Sequence, residues 1–350
     1  MTQRWKQRPP GSTWGDYGED DELGRINLLT REKVLEGVRE VEHGITFSLS
    51  LPLDYPGGTA LNQRRYPPIL RPTEDLEHKQ DVFYNVVARE QIAPNLTDVW
   101  SDDVVTLWLQ YSTQWDALAH QGEEFDADAD GVAEPVFYNG FRAGSDIVGP
   151  AEDAKGDGSG SIGFAKHLGL EKMAEHGVQG RGVLIDLAHH VGTDWQPVGF
   201  RKLQEIMAAD DITVEPGDML LLRTAFATQI LAWGKNPDPV AIHATAPYLD
   251  AHDDDLLQWI ADSQISALIA DNYAVEGIGV PGADESTPHT LLPIHNLCLF
   301  KLGVPLGELW YLDDLAAWLR EHNRSRFLLT APPLNLPGTQ GSPLTPVATV

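Results

Sequence analysis

Leu107-Trp108-Leu109-Gln110-Tyr111-Ser112-Thr113-Gln114-Trp115-Asp116-Ala117-Leu118-Ala119-His120 is a segment of two characters. Its approach, Val104 to Leu109, is rich in β-branched, aromatic and apolar residues and predicts a strand. Gln110, Gln114, Asp116 and His120 then crowd together. Each can bind a metal, move a proton or grip a polar substrate. Their spacing of i, i+4, i+6 and i+10 fits neither a pure helix nor a pure strand. A strand ending in a turn, with side chains converging on one spot, satisfies it.

A second stretch carries chemistry of the same kind. Pro293-Ile294-His295 opens a helical pattern in which Leu299 and Leu302 face inward and Gly303 ends the helix. Leu306-Gly307-Glu308 follows as an extended segment, and Asp313-Asp314 opens another helix. Between the two stretches run apolar strands, Gly182 to Leu187, Met219 to Arg223 and Ile265 to Ala270, separated by helical patterns such as residues 197–209. Strands alternating with helices predict an α/β chain. Gly180-Arg181-Gly182 precedes its strand, whereas a dinucleotide site needs glycines between strand and helix, so dinucleotide binding is rejected. Before the first strand, Thr30 caps a helix over residues 31–41 with Val34, Leu35, Val38 and Val41 on one face.

Ser112, Thr113, Asp116 and His120 fall in register with the pattern His-x-Gly-Thr-His-x-Asp-x-x-x-His, so the chain resembles the cyclase family, which includes bacterial kynurenine formamidase and isatin hydrolase. Ser112 stands where the family has Gly, and Gln110 and Gln114 stand where it has its first two histidines. His295, on a helix, and Glu308, on the next strand, match two further places, as do Leu23 to Thr30, Tyr138-Asn139-Gly140 and Gly180 to Asp186. The resemblance runs over roughly residues 10–335. It implies an α/β fold with a mixed β-sheet or barrel-like core flanked by helices, in a homo-oligomer (dimer or tetramer). It also implies a hydrolase in which a divalent metal, zinc or manganese, helps water attack the carbonyl of an amide, imide, lactam or lactone.

On that pattern Gln110, Gln114, Asp116 and His120 are the candidate metal ligands. His120, His295 and Glu308 are the candidate catalytic groups, as acid and base or as ligands of an adjoining metal. Neutral amide oxygens suit manganese better than zinc, which prefers imidazole, thiolate and carboxylate. A site that takes metal only through Asp116, His120, His295 and Glu308, or none at all, stays open. In the metal-free case His120 and Glu308 would run a cyclase, dehydratase or isomerase reaction. Trp115, Tyr138, Arg223 and His243 are the candidate substrate-binding residues. Arg223 ends an apolar strand and is read equally as a pocket residue or a member of a buried ion pair. Arg64, Arg65 and Arg71 stand out in an acidic chain as ion-pair partners or pocket cations.

The 350 residues carry a net charge of −27, which disfavours nucleic acid and anionic membranes as partners and leaves a small-molecule substrate. No apolar run reaches a membrane span, and residues 1–15 lack the apolar middle of a signal peptide, so a cytoplasmic location is expected. The single cysteine, Cys298, excludes a disulfide framework or a cysteine-rich zinc site and is expected to be buried and inert. One domain is expected over residues 1–350, with an N-terminal extension to about residue 45 and a Pro-rich tail from about 331 that could wrap a neighbour. The Gly/Asp/Ser-rich stretch Glu152 to Gly163 is a candidate lid or plain loop.

Overall fold

The computed structural model describes residues 4–74, 82–149, 163–278 and 289–350. Nearly all of the Glu152 to Gly163 stretch therefore lies outside the described residues, as does Pro288. Nine strands form the main sheet: β1 Thr46–Ser48, β2 Gln114–Asp116, β3 Gln179–Asp186, β4 Met219–Arg223, β5 Ala267–Ala270, β6 Leu306–Glu308, β7 Arg326–Thr330, β8 Gly341–Pro343 and β9 Val347–Thr349. Their spatial order is β1-β9-β7-β3-β4-β5-β6-β2-β8. The four central strands, β3 to β6, are parallel, and every pairing outside them is antiparallel. The sheet curls into a half-barrel flanked by helices, as expected.

The central strands are apolar on both faces because helices cover them on either side. Along β4, Leu220 and Leu222 enter one core with Ile185, Leu268 and Leu306. Met219 and Leu221 enter the other with Leu184, Ile269 and Phe327. The principal helices are α1 Arg31–Arg39, α2 Phe200–Ala209, α3 Phe226–Ala232, α4 Asp254–Ser263, α5 Pro293–His295 and α6 Asp313–Glu321. Helix α5 continues as a π-helix over Asn296–Leu302. Helix α2 starts at Phe200 rather than Pro197, because Pro197-Val198 pairs with Tyr248-Leu249 as a short strand.

One expectation is corrected, and both ends of the chain join the fold. Helix α1 begins at its Thr30 cap, but its buried residues are Lys33 and Gly37, while Leu35 and Val38 are 44% and 47% exposed. A Cβ on Gly37 would lie 2.7 Å from the Gly180 carbonyl group, so the helix meets β3 backbone to backbone and presents its glycine rather than its apolar stripe. Within the expected N-terminal extension, Trp14 is fully buried and its indole N–H donates to the Phe300 carbonyl at 2.7 Å. The Pro-rich tail supplies β8 and β9 to the chain's own sheet. Pro343 is tolerated there because β8 is an edge strand. Cys298 is fully buried and its thiol is pushed up by that burial, in keeping with an inert core residue.

Candidate active site

The approach to the Leu107–His120 segment is a strand, Asp103–Thr106, but it is exposed along its whole length and belongs to a separate three-stranded sheet. The chain then turns through residues 107–113 and enters β2 at Gln114. Two side chains fix that turn. The Tyr111 hydroxyl accepts from the Gly57 N–H and donates to the Gly58 carbonyl, both at 3.0 Å. The buried Thr113 hydroxyl accepts from the Leu51 N–H at 2.9 Å and donates to the Leu309 carbonyl at 2.6 Å.

Register then decides which side chains meet. Gln114 lies opposite Glu308 and Asp116 opposite Leu306, so Gln114, Asp116 and Glu308 share one face. Trp115 faces the other way. It is fully buried against Trp310, 5.2 Å between ring centroids, and donates to the Ala331 carbonyl at 2.8 Å. The expectation that Trp115 lines a pocket beside Asp116 is therefore corrected by the two-residue period of the strand.

His295 reaches the same face from α5. Ligand atoms of Asp116, His295 and Glu308 all lie within 4.8 Å of one another, and all three residues are buried. His295 Nε2 is 3.2 Å from Glu308 Oε1, and Nδ1 is 2.8 Å from Glu276 Oε1. The Gln114 Nε2 group donates to both Asp116 oxygens, at 3.2 and 3.3 Å, and to Glu308 Oε2 at 3.2 Å. Its Oε1 is buried and has no partner among the described residues. His120 stands at the rim: its side chain is 26% exposed, and Nε2 is 4.0 Å from Asp116 Oδ1.

Burial pushes the Asp116 carboxyl well above the usual range, and the Glu308 charge adds to this against His120, His295 and Arg65. Burial also opposes the Glu308 carboxylate, but the hydrogen bond and charge of His295 outweigh it and hold Glu308 below its ordinary value. His295 itself would lose its charge on burial; hydrogen bonds to Glu276 and Glu308 reverse this and raise it to about 10. With His295 protonated and the Asp116 carboxyl pushed up, Glu276 and Glu308 are the carboxylates that face the imidazolium.

Glu276 joins this group of side chains, and sequence reading passed over it. It sits in the loop after β5 and accepts from the Ile294 and His295 backbone N–H groups at 2.9 and 2.8 Å, besides holding the His295 ring. No local pattern marks it, since its partners lie eighteen and nineteen positions away. Arg65 donates to the Gln110 carbonyl at 2.7 Å, and its charge reaches both Asp116 and Glu308.

The remaining candidates are dispersed. The Gln110 amide lies over Gly341, whose added Cβ would meet it at 2.3 Å; Gly341 is the β8 partner of Asp116. Gln110 is thus near β2 but outside the Asp116, His295 and Glu308 group. Tyr138 is fully buried in the core, with its hydroxyl 3.4 Å from Thr13 Oγ1, which corrects the reading of it as a substrate contact. Arg223 pairs with Asp186 at 2.8 Å and Asp313 at 2.6 Å, the ion-pair alternative. His243 Nε2 is 3.1 Å from the Ala60 carbonyl, on the rim of a cavity that also reaches Glu276. A second acidic group, Asp126, Asp128 and Asp130, sits on an exposed loop where such clusters are common without an ion.

A family model described as "Putative cyclase" matches residues 47–277, which include β2, His120 and Glu276. A crystal structure of a novel cyclase aligns with a TM-score of 0.73 at 29% identity, covering 98% of this chain and 100% of that one. Isatin hydrolase A from Ralstonia solanacearum aligns with a TM-score of 0.52 at 15% identity, covering 87% of this chain and 91% of its own. Isatin hydrolase A from Labrenzia aggregata, bound to benzyl benzoate, gives 0.52 at 14% identity over 87% and 93%. At those identities the two hydrolases share the fold. No curated protein matches the chain. With two thirds of the chain under one family model and the rest aligned along a cyclase of known structure, the protein belongs to the cyclase family.

Proposed function

We propose that the chain is a metal-dependent hydrolase that cleaves a cyclic or acyl amide, imide, lactam or lactone by attack of water at the carbonyl. The observation that carries this is the buried group of Asp116, His295 and Glu308 beside an orphaned amide oxygen, Gln114 Oε1. Closely spaced carboxylates are costly to bury without a compensating cation. Burial holds Asp116 toward its protonated form, and a cation between it and Glu308 would let both ionise. Two carboxylates, an imidazole and an amide oxygen are a donor set that fits a divalent ion, Mn²⁺ ahead of Zn²⁺. Asp116, His295 and Glu308 would hold the ion, with Gln114 turned to offer Oε1.

A bound divalent ion polarises a carbonyl and makes water a better nucleophile at neutral pH. Glu276 accepts from Nδ1 of His295, fixes the ring's orientation and leaves Nε2 directed at Glu308. His120, partly exposed and beside Asp116, is placed to take the proton from the attacking water and return it to the leaving nitrogen or oxygen. Arg65, whose charge reaches Asp116 and Glu308, would counter charge that develops on the carbonyl oxygen.

One observation favours a second reading. The Gln114 amide nitrogen bridges the two carboxylates directly, an arrangement suited to a metal-free cyclase, dehydratase or isomerase using His120 and Glu308. Chelation followed by add-back of Mn²⁺ or Zn²⁺, with turnover followed in heavy-oxygen water, separates the two. Hydrolysis is supported by metal-dependent turnover that places solvent oxygen in the product. Full turnover after chelation without oxygen incorporation overturns it. Among the described residues no helix is long and apolar enough to cross a membrane. Exposed Leu70, Val104 and Val105 on the small sheet offer apolar surface for the expected homo-oligomer, which light scattering would report.

A further inference from the structure

The loop after β5 starts beside the strand that carries Glu308. The Leu309 N–H donates to the Asn272 carbonyl at 3.1 Å, so Tyr273 lies next to a residue tied to the neighbour of Glu308. Its ring packs on the cluster that holds Leu51, Leu61 and Phe226. Tyr273 lines both the cavity of about 290 Å³ that Glu276 also lines and a narrow cleft shared with Arg65 and Gln110. The Arg65 guanidinium is 5.8 Å from the ring centroid.

Hydrogen bonding at the Tyr273 hydroxyl has a fixed direction. The Arg64 N–H donates to Asn62 Oδ1 at 2.9 Å, which turns the Asn62 amide so that Nδ2 meets the Tyr273 oxygen, 3.1 Å away. An amide nitrogen only donates, so the phenol oxygen accepts and its own proton is directed elsewhere. No acceptor for that proton lies among the described residues. Burial pushes the phenol above its ordinary value, and the charges of Glu308 and Asp116 add to this against Arg65 and the Asn62 bond. The hydroxyl therefore keeps its proton at neutral pH, and both carboxyl groups of the reaction centre are near enough to act on it.

We propose that Tyr273 is a further catalytic residue: oriented by Asn62, its O–H donates to the carbonyl oxygen of the substrate as negative charge gathers there. This rests on the hydrolase reading. The proton stays on the phenol, and no bond to it is made or broken. What changes is the strength of the hydrogen bond, which grows as the carbonyl becomes tetrahedral. Arg65 supplies charge from the same quarter, and Tyr273 supplies direction. A donor of this kind holds the transition state better than the bound substrate, so its loss appears in kcat rather than KM.

The test uses Mn²⁺-loaded protein, two chromogenic probes, 4-nitrophenyl acetate and 4-nitroacetanilide, and a stable tetrahedral anion, phenylphosphonate, whose binding is read by calorimetry. Tyr273→Phe should lower kcat about 100- to 1,000-fold with KM within about twofold. It should weaken phenylphosphonate at least about tenfold and leave the Mn²⁺ affinity and the thermal transition unchanged. Asn62→Ala should cost about tenfold in kcat, and adding it to Tyr273→Phe should cost nothing more, because the amide acts through the phenol. Unchanged kcat and phenylphosphonate affinity in Tyr273→Phe, a loss of kcat matched by lost Mn²⁺ affinity, or additive losses in the double variant would overturn the proposal. If wild type turns over neither probe, the phenylphosphonate comparison decides alone, and failure of wild type to bind it counts against the proposal. Weakened phenylphosphonate binding in Tyr273→Phe without hydrolysis of any amide or ester by wild type would sink the hydrolase reading and leave the donor standing. Metal-dependent hydrolysis that is unchanged in Tyr273→Phe would do the reverse.

Discussion

Two clusters of buried charge sit at opposite ends of the central parallel strands, and they are built differently. At the entry end, Asp218 precedes β4 and is fully buried, and it is met by Arg181 through two hydrogen bonds, 2.8 and 3.1 Å, and by Lys33 at 3.3 Å. Arg181 also holds Glu215, and Lys33 holds Glu36 at 2.5 Å. Every buried oxygen there has a cation of the chain's own. At the exit end, around β6 and the loop after β5, Glu276 and Glu308 share the His295 imidazole, Asp116 and Glu308 share the Gln114 amide with the Arg65 charge acting on both, and an amide oxygen is left over. Both arrangements take charge out of water; one is closed by ion pairs within the chain, and the other leaves a carboxyl pushed up by burial and an amide oxygen without a partner among the described residues. In open α/β sheets ligands gather at the carboxyl ends of the strands, which is where the incomplete cluster lies.

That contrast is broken or sharpened by removing one group from each side. Asp116→Asn or Glu308→Gln should cost more activity than the about 10–100-fold typical of outer-shell changes. Glu308→Gln also removes a partner of the His295 imidazolium and should lower the stability of the metal-free protein, whereas Asp116→Asn should leave it at least as stable as wild type, since it relieves buried acid. Arg181→Ala should do the opposite, costing about 3–5 kcal/mol because Asp218 is left buried without its bidentate partner, while the folded fraction keeps its turnover per molecule. Thermal melts paired with initial rates report both. Loss of stability in Glu308→Gln together with unchanged turnover would show the exit cluster to be structural.

Glu276→Gln comes next, with an expected loss of about 10–100-fold in metal affinity or rate. Its second readout is pH. His295 has a folded value of about 10 against 6.5 for the free side chain. A raised value stabilises the metal-free fold fully below 6.5, and that contribution is lost as pH climbs toward 10. The melting temperature of the chelated protein should therefore fall across that window, and Glu276→Gln should flatten the slope. The smallest effect is expected for Gln114→His, which adds an imidazole and should shift the ratio of Zn²⁺ to Mn²⁺ affinity toward zinc by about tenfold, read by competition titration.

Much of this was legible in the order of residues. Gln114 and Asp116 lie two positions apart, so any strand through them puts both on one face. The matches at His295 and Glu308 brought the second half of the site to the first. The period also contained the answer for Trp115, whose odd position sends it to the opposite core. Glu276 was hidden because its role depends on a loop folding back onto α5, with Ala274 and Val275 in conformations that side chains seldom adopt. The strands within the tail were hard to see because prolines are kept out of sheet interiors, whereas edge strands accept them. The apolar stripe of α1 misled for a similar reason: contact between Gly37 and Gly180 set the helix face before hydrophobicity could.

The central claim is that the exit cluster lacks a cation and is completed by one. Calorimetric titration of Mn²⁺ into chelated protein, in two buffers of different ionisation enthalpy, measures this directly. The account predicts a site that is abolished in Glu308→Gln and that releases about one to two protons per ion, from His295 and Asp116. Binding that survives unchanged in Glu308→Gln, or that releases no protons near neutral pH, would contradict it.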